Sequence, residues 1–105
     1  MNLKEETIEK LHQNGKKVKD VLWCSINNET FFTWKNFIEV SNFKYDDGFG
    51  GEEINLDLRI IGKDFWLERH EYGGSEWWEF KSLPKKPKKK IKISKKELLQ
   101  DLGNY

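Results

Sequence analysis

DFWLERHEYGGSEWWEF, residues 64–80, is the stretch that decides the fold. Two runs rich in aromatic residues meet in it at Gly73 and Gly74. A two-residue hairpin turn requires positive φ at its central positions, and glycine adopts positive φ without steric cost. The stretch therefore predicts a β-hairpin in which Tyr72 pairs with Ser75, and we expect this hairpin to form the centre of a sheet.

The residues before the hairpin predict a third strand beside it. Apolar and polar side chains alternate over residues 54–61, as in a strand that is buried on one face. A two-residue turn at Gly62 and Lys63 would pair Ile61 with Asp64. The three strands then form an antiparallel meander over residues 54–82.

The predicted pairing sorts the side chains of the meander onto two faces, because alternate residues of a strand point in opposite directions. One face is apolar and is expected to be the core; it carries Leu56, Leu58, Ile60, Phe65, Leu67, Trp78 and Phe80. The opposite face mixes aromatic and charged residues; it carries Asp57, Arg59, Trp66, Glu68, His70, Tyr72, Trp77, Glu79 and Lys81. We expect helices on the first face and solvent or a partner on the second.

Two helices and a further strand are expected before the meander. Asn2, with a glutamate three residues later, has the spacing of a capping box and predicts a helix over residues 3–14. Residues 18–32 predict a strand, or a hairpin that turns at two asparagines. From Thr33 the apolar spacing becomes helical, which predicts a second helix over residues 33–42.

The C-terminal residues differ from the rest of the chain in charge. Residues 1–84 contain 11 Lys/Arg and 16 Asp/Glu, whereas residues 85–105 contain 8 Lys and 2 Asp/Glu. A single acidic domain is thus expected to be followed by a lysine-rich linker. Ile91 and Ile93 alternate with lysines, as in a short edge strand, and a capping-box sequence after them predicts a helix over residues 95–102.

The predicted fold class is therefore α+β. The meander and the N-terminal strand or hairpin form one antiparallel sheet, which the first two helices cover on one face. The single cysteine excludes an internal disulfide, and no apolar run is long enough to span a bilayer. We expect a cytoplasmic protein without a cofactor and without membrane association.

The outer face of the meander carries the sharpest functional signal. In the predicted pairing, Asp57, Glu68 and Glu79 lie side by side across three strands, where like charges repel. A basic partner surface or a metal ion could compensate, whereas in a purely structural interpretation neighbouring basic residues dilute the repulsion. A small metal-dependent enzyme would use Glu68, His70 and Glu79, but two ligands on one strand face are too few to define a metal or catalytic site.

The predicted binding residues fall into two sets. The partner-binding set is Asp57, Trp66, Glu68, His70, Tyr72, Trp77 and Glu79 on the sheet, with Asp46, Asp47, Glu52 and Glu53 in a glycine-rich acidic loop. A nucleic-acid-binding accessory protein would instead use Lys85, Lys86, Lys88, Lys89, Lys90, Lys92, Lys95 and Lys96. The sequence leaves open whether this lysine segment binds the acidic face of its own copy or of a second copy, as in a homodimer.

WLERHEYGGSEWWEFKSLPKKP, preceded by FKYDDGFGGEEI, resembles a group of small uncharacterised proteins found in phages, prophages and mobile elements of low-GC Gram-positive bacteria. The resemblance covers about residues 18–87. It implies a context in which small proteins bind and inhibit host factors, including CRISPR nucleases and other defence proteins. We therefore expect a non-enzymatic interaction protein that binds a basic surface of a host protein.

Overall fold

The chain folds as four strands and three α-helices in a computed structural model that describes residues 1–46, 48 and 53–99. In order they are α1 (Leu3–Gln13), a 3₁₀ turn (Val18–Asp20), β1 (Val21–Ser25), α2 (Trp34–Val40), β2 (Arg59–Gly62), β3 (Phe65–Tyr72), β4 (Ser75–Ser82) and α3 (Lys95–Leu98). The strands form one antiparallel sheet in the order β1-β2-β3-β4. The predicted α+β class is confirmed.

Helix α1 packs against β4 on the core face of the sheet. The side chain of Asn2 accepts a hydrogen bond from the backbone N–H of Glu5 at 3.0 Å, as the capping box predicts. The buried stripe of the helix consists of Leu3, Thr7 and Leu11. The indole N–H of Trp78 donates to the hydroxyl of Thr7 at 2.9 Å, so a buried polar pair fixes the helix on the sheet.

Helix α2 packs against β1 at the other side of the sheet. Thr33 caps it by accepting a hydrogen bond from the backbone N–H of Asn36 at 3.0 Å. Phe37 is its buried residue and stacks on Trp34, with ring centroids 5.4 Å apart. The two helices therefore cover one face of the sheet, as predicted, and α2 ends at Val40.

The hairpin formed by β3 and β4 has the predicted turn and pairing. Gly73 and Gly74 have φ of 60° and 90°, and Tyr72 pairs with Ser75. Both central positions thus lie in the region that only glycine enters readily, which fixes the register of the two strands. Phe65 and Ser82 close the far end of the ladder.

The predicted pairing of β2 with β3 is wrong by two residues. Ile60 pairs with Leu67, and the turn consists of Lys63 and Asp64 instead of Gly62 and Lys63. Gly62 belongs to β2, where a Cβ atom would lie 2.0 Å from Cε1 of Phe65. The glycine is thus required by the close approach of the ring and not by the turn. Because side chains repeat every two residues, the shift leaves each residue on its predicted face.

The third strand is shorter than predicted, since β2 begins only at Arg59. The side-chain oxygen of Asn55 accepts a hydrogen bond from the N–H of Asp57 at 2.8 Å, and its carbonyl accepts one from Leu58 at 3.1 Å. These bonds form a turn that competes with strand pairing. Leu58 still reaches the core, but Leu56, predicted to be buried there, is exposed.

The segment predicted as a strand or hairpin over residues 18–32 forms β1 and one isolated bridge. Backbone hydrogen bonds of 2.8 Å join Cys24 and Phe32 in both directions. A bulge between Val21 and Trp23 breaks the strict alternation of β1. The turn falls at Asn27, whose side-chain oxygen accepts the backbone N–H of Thr30 at 2.8 Å.

The C-terminal segment leaves the sheet after β4. Ile91 and Ile93 do not form the predicted edge strand; they are 66% and 50% exposed in irregular backbone. Helix α3 ends at Leu98, and the rest of the predicted helix, residues 100–102, lies outside the described residues. Within the described residues, the chain has no helix with the length and apolarity needed to cross a membrane.

Candidate functional site

The candidate residues of the sheet gather on the face opposite α1 and α2, which we call the outer face. It carries Trp23, Arg59, Ile61, Trp66, Glu68, His70, Tyr72, Trp77, Glu79 and Lys81. Most of these side chains are partly accessible, and Tyr72 is 82% exposed. The outer face is therefore an aromatic and charged surface that no element of the fold covers in the described residues.

The central row of the outer face is not the row of three acids that the sequence predicted. Arg59 of β2 lies opposite Glu68 of β3, which lies opposite Glu79 of β4. Asp57 lies in the turn before β2 and is exposed. Because of the two-residue shift, Arg59 takes the place predicted for Asp57 in this row. Like charges are therefore opposed only at Glu68 and Glu79.

Each glutamate of this pair is held by a tryptophan of its own strand. The indole N–H of Trp66 donates to Glu68 at 2.6 Å, and that of Trp77 donates to Glu79 at 3.0 Å. These hydrogen bonds are the main reason that the pKa of both carboxyl groups lies below the usual range. The face therefore presents two adjacent carboxylates that are ionised and fixed in orientation.

His70 is the second side chain that contacts the carboxylate of Glu68. Its Nε2 lies 2.7 Å from the second carboxylate oxygen of Glu68, and its ring stacks against Trp77 at 6.5 Å between centroids. His70 and Glu68 are thus brought together as the sequence suggested. In the part of the chain that the structure describes, no group of three or more His, Cys, Asp or Glu side chains is placed to hold a metal ion.

The two strands repeat the same order of side chains on the outer face. In β3 the order is Trp66, Glu68, His70, and in β4 it is Trp77, Glu79, Lys81. Because the strands are antiparallel, Trp66 faces Lys81 and His70 faces Trp77 across the paired glutamates. The surface therefore has approximate two-fold symmetry, with an indole and a basic group on each side. The repeat W-x-E-x-basic is visible in the sequence and could have been found there.

Beside β1 the outer face deepens into an apolar cleft that sequence reasoning missed. It has a volume of about 470 Å³ and is lined by Leu22, Trp23, Phe31 and Ile61, among others. A shallower depression of about 360 Å³ continues it past Ile61 to Trp66 and Glu68. The cleft depends on the return of the chain from β1 to Phe32, which the two asparagines predicted, and on the approach of this return to Arg59 and Ile61 of β2, which no local pattern specified.

A buried charged network lies on the core face of the same strands. The guanidinium of Arg69 donates to Glu76 at 3.0 Å and to the hydroxyl of Tyr45 at 3.0 Å, and it lies 3.4 Å from Glu6. It also covers the ring of Trp78 at 4.8 Å. The side chains of Arg69 and Glu76 are fully buried. Strand alternation places both residues on the core face, so the sequence contained this signal.

The network also anchors the described ends of the acidic glycine-rich loop. Glu76 accepts hydrogen bonds from the backbone N–H groups of Glu53 at 2.6 Å and Ile54 at 3.0 Å. Glu53 in turn accepts the backbone N–H of Asp46 at 2.9 Å. These hydrogen bonds link Asp46 through Glu53 to Glu76, on the core side of β4. The other two predicted loop residues, Asp47 and Glu52, lie outside the described residues.

The eight predicted nucleic-acid-binding lysines lie on what we call the lysine arm, residues 85–96. All of them are exposed. Among the described residues, the hydrogen bonds and ion pairs of the arm are confined to the arm and α3. The arm is thus a cationic segment that the sheet and helices of its own copy do not hold.

In comparisons with known proteins, no family model, curated protein or solved structure matched the chain.

Proposed function

We propose that this chain is a non-enzymatic protein-binding module whose outer face recognises a cationic segment of another protein. The observation that carries the proposal is the adjacent pair Glu68 and Glu79, each oriented by an indole N–H. Fixed carboxylates lose little entropy when they accept hydrogen bonds from a partner. Aromatic side chains beside them supply contact area of the kind that dominates binding energy at interfaces.

The geometry favours guanidinium or ammonium groups as the recognised chemistry. A carboxylate accepts both N–H groups of a guanidinium, and an indole face attracts the same cation. On the outer face a carboxylate and an indole are neighbours on each side of the approximate two-fold axis: Glu68 and Trp66 on one strand, and Glu79 and Trp77 on the other. An extended segment with several basic residues could therefore contact both glutamates at once.

In its more specific form, the proposal is that the chain is encoded by a phage or mobile element and inhibits a host nucleic-acid-handling protein, such as a CRISPR nuclease. Such proteins present basic surfaces to bind phosphates, and carboxylates on a rigid sheet can occupy the same surface. The resemblance of about residues 18–87 to small phage and mobile-element proteins supports this context.

The test replaces both glutamates with their uncharged isosteres, E68Q and E79Q, in one protein. Binding of an arginine-rich 12-residue peptide, measured by fluorescence anisotropy, should weaken by about tenfold or more, which corresponds to about 1.4 kcal/mol. E71Q is the matched control, because Glu71 is an exposed glutamate of the same strand that points to the opposite face of the sheet from Glu68. Equal affinity of the double variant and the control would refute the proposed face.

The inhibitory form of the proposal has its own readout. DNA cleavage by a purified CRISPR nuclease of a low-GC Gram-positive host should fall as the wild-type protein is added, and the double variant should lose this effect. If the protein binds the peptide but does not inhibit the nuclease, the proposed binding function stands and the proposed host target is refuted.

A second candidate, a nucleic-acid-binding accessory protein, is favoured by the exposure of every lysine of the lysine arm. Each lysine that neutralises a phosphate releases counterions, so binding should fall steeply with salt. Replacing Lys88, Lys89 and Lys90 with glutamine should reduce the slope of log affinity against log salt by about 2 to 3. Failure of the wild-type protein to shift single-stranded or duplex DNA or RNA at low salt would exclude this candidate.

A further inference from the structure

We infer that the outer face of one copy of this protein binds the lysine arm of a second copy. The inference rests on the proposed function, because it uses the same face, but it names the occupant. Each copy carries both halves of the contact, so the assembly would be a symmetric dimer in which arms are exchanged.

The arm and the face are complementary in their apolar parts. Ile91 and Ile93 are 66% and 50% exposed and have the spacing that places two side chains on the same side of an extended chain. The outer face has an apolar cleft of about 470 Å³ with Trp23 and Ile61 in its wall. Among the described residues, Leu22 and Ile61 line the cleft, and the volume left open is large enough for further branched aliphatic side chains.

Charge gives a second and independent match. Residues 1–84 contain 11 Lys/Arg against 16 Asp/Glu, whereas residues 85–105 contain 8 Lys against 2 Asp/Glu. The cleft continues along the depression that ends at Glu68, and Glu79 is the next residue across the sheet. Arg59 lines both the cleft and the depression, so an arm whose isoleucines lie in the cleft carries its lysines past Arg59 towards the carboxylates of Glu68 and Glu79.

The length of the arm fits the width of the sheet. Ile91 follows Leu83 by eight positions, and an extended chain of eight residue steps spans about 26 Å. Four strands spaced about 4.8 Å apart are narrower than this. An extended arm is thus longer than the outer face is wide.

The exit of the arm favours a second copy over the arm's own face. The N–H of Leu83 donates to the carbonyl of Asp64 at 2.8 Å, so the chain continues in the direction of β4 as it leaves the sheet. Pro84 restricts Leu83 to extended backbone, and Pro87 stiffens the segment that follows. Folding back onto the same outer face would require a reversal at this point. Binding to the outer face of a second copy requires no such reversal. The exchanged arm would cover the outer face until a cationic segment of another protein displaced it.

The test uses full-length protein and two variants, each of which lacks one half of the contact. The face variant is E68K/E79K and the arm variant is I91S/I93S; all four residues lie on accessible surface, and circular dichroism verifies that both variants fold. Sedimentation equilibrium at low salt, over a concentration range from micromolar to about one millimolar, should show a monomer–dimer equilibrium for the wild type. Each variant alone should dimerise at least tenfold more weakly.

Mixing the two variants decides whether the contact is between an arm and a face. The mixture contains an intact face on the arm variant and an intact arm on the face variant, which is one of the two contacts of the wild-type dimer. It should therefore form a one-to-one dimer that is weaker than the wild-type dimer and stronger than the dimer of either variant alone. A wild-type protein that is monomeric throughout, an arm variant that dimerises like the wild type, or a mixture that stays monomeric would each overturn the inference. A monomeric wild type that still binds the arginine-rich peptide would overturn only this inference and would leave the proposed function intact.

Discussion

Replacing Arg69 with methionine tests the buried network most directly. Methionine retains much of the aliphatic stem but removes the guanidinium that bonds Glu76 and Tyr45 and covers Trp78. The loss leaves the fully buried carboxylate of Glu76 without its cation. Removing one partner of a buried ion pair costs about 3 to 5 kcal/mol, because the remaining charge is uncompensated.

The loss of unfolding free energy expected for R69M lies near the lower end of that range. Glu76 keeps two backbone N–H donors, from Glu53 and Ile54, which continue to stabilise its charge. We therefore expect R69M to lower the free energy of unfolding by about 3 kcal/mol. With a urea dependence of about 1.5 kcal/mol per molar, the midpoint of unfolding should fall by about 2 M.

The assay is equilibrium unfolding in urea followed by tryptophan fluorescence. R59M is the matched control, because the chain has only two arginines and Arg59 lies exposed on the outer face. Its effect should stay within about 0.5 kcal/mol. The double variant R69M/E76M should be destabilised by less than the sum of the two single changes, since it removes both fully buried charges together. If R69M costs no more than R59M, the network does not stabilise the fold.

Three further predictions concern single positions. G62A should destabilise the protein by about 1 to 3 kcal/mol, because the added methyl overlaps the ring of Phe65; an unchanged urea midpoint would contradict this packing. W66F should raise the pKa of Glu68 towards its usual value, measured by NMR titration, because the indole donor is lost. The lowered pKa of Glu68 contributes stability that is present above the unfolded-state pKa, about 4.3, and is lost as pH falls through the folded value; a pKa unchanged in W66F would exclude the hydrogen bond. The thiol of Cys24, whose pKa burial raises to about 12, should react with alkylating reagents only as fast as the protein unfolds; rapid labelling of the native protein would show that β1 is open.

Local signals in the sequence were sufficient where a few neighbouring residues decide the backbone. The glycine pair after Tyr72 specified the hairpin turn, and the caps at Asn2 and Thr33 located two helices. Strand alternation sorted the outer face from the core even though the pairing of β2 was misplaced, because a shift of two residues preserves the side to which each residue points.

Local signals in the sequence were misleading where two of them competed. Gly62 looked like a turn residue, and only the position of the Phe65 ring shows that it is needed inside β2. The alternation over residues 54–58 looked like a strand, but the side chain and carbonyl of Asn55 form a turn there. These two errors together produced the predicted row of three acids on the outer face.

The sequence by itself determined the class of the fold, the central hairpin and the residues of the outer face, since each depends on backbone preferences within about ten residues. Only the tertiary structure decided which residues oppose one another across β2 and β3, and therefore that Arg59 stands beside Glu68. It alone also brought Glu6, Tyr45, Arg69 and Glu76 into one buried network and closed the cleft beside β1. Such contacts join residues far apart in the chain, where packing and the pairing of buried charges decide the arrangement and no local pattern records it.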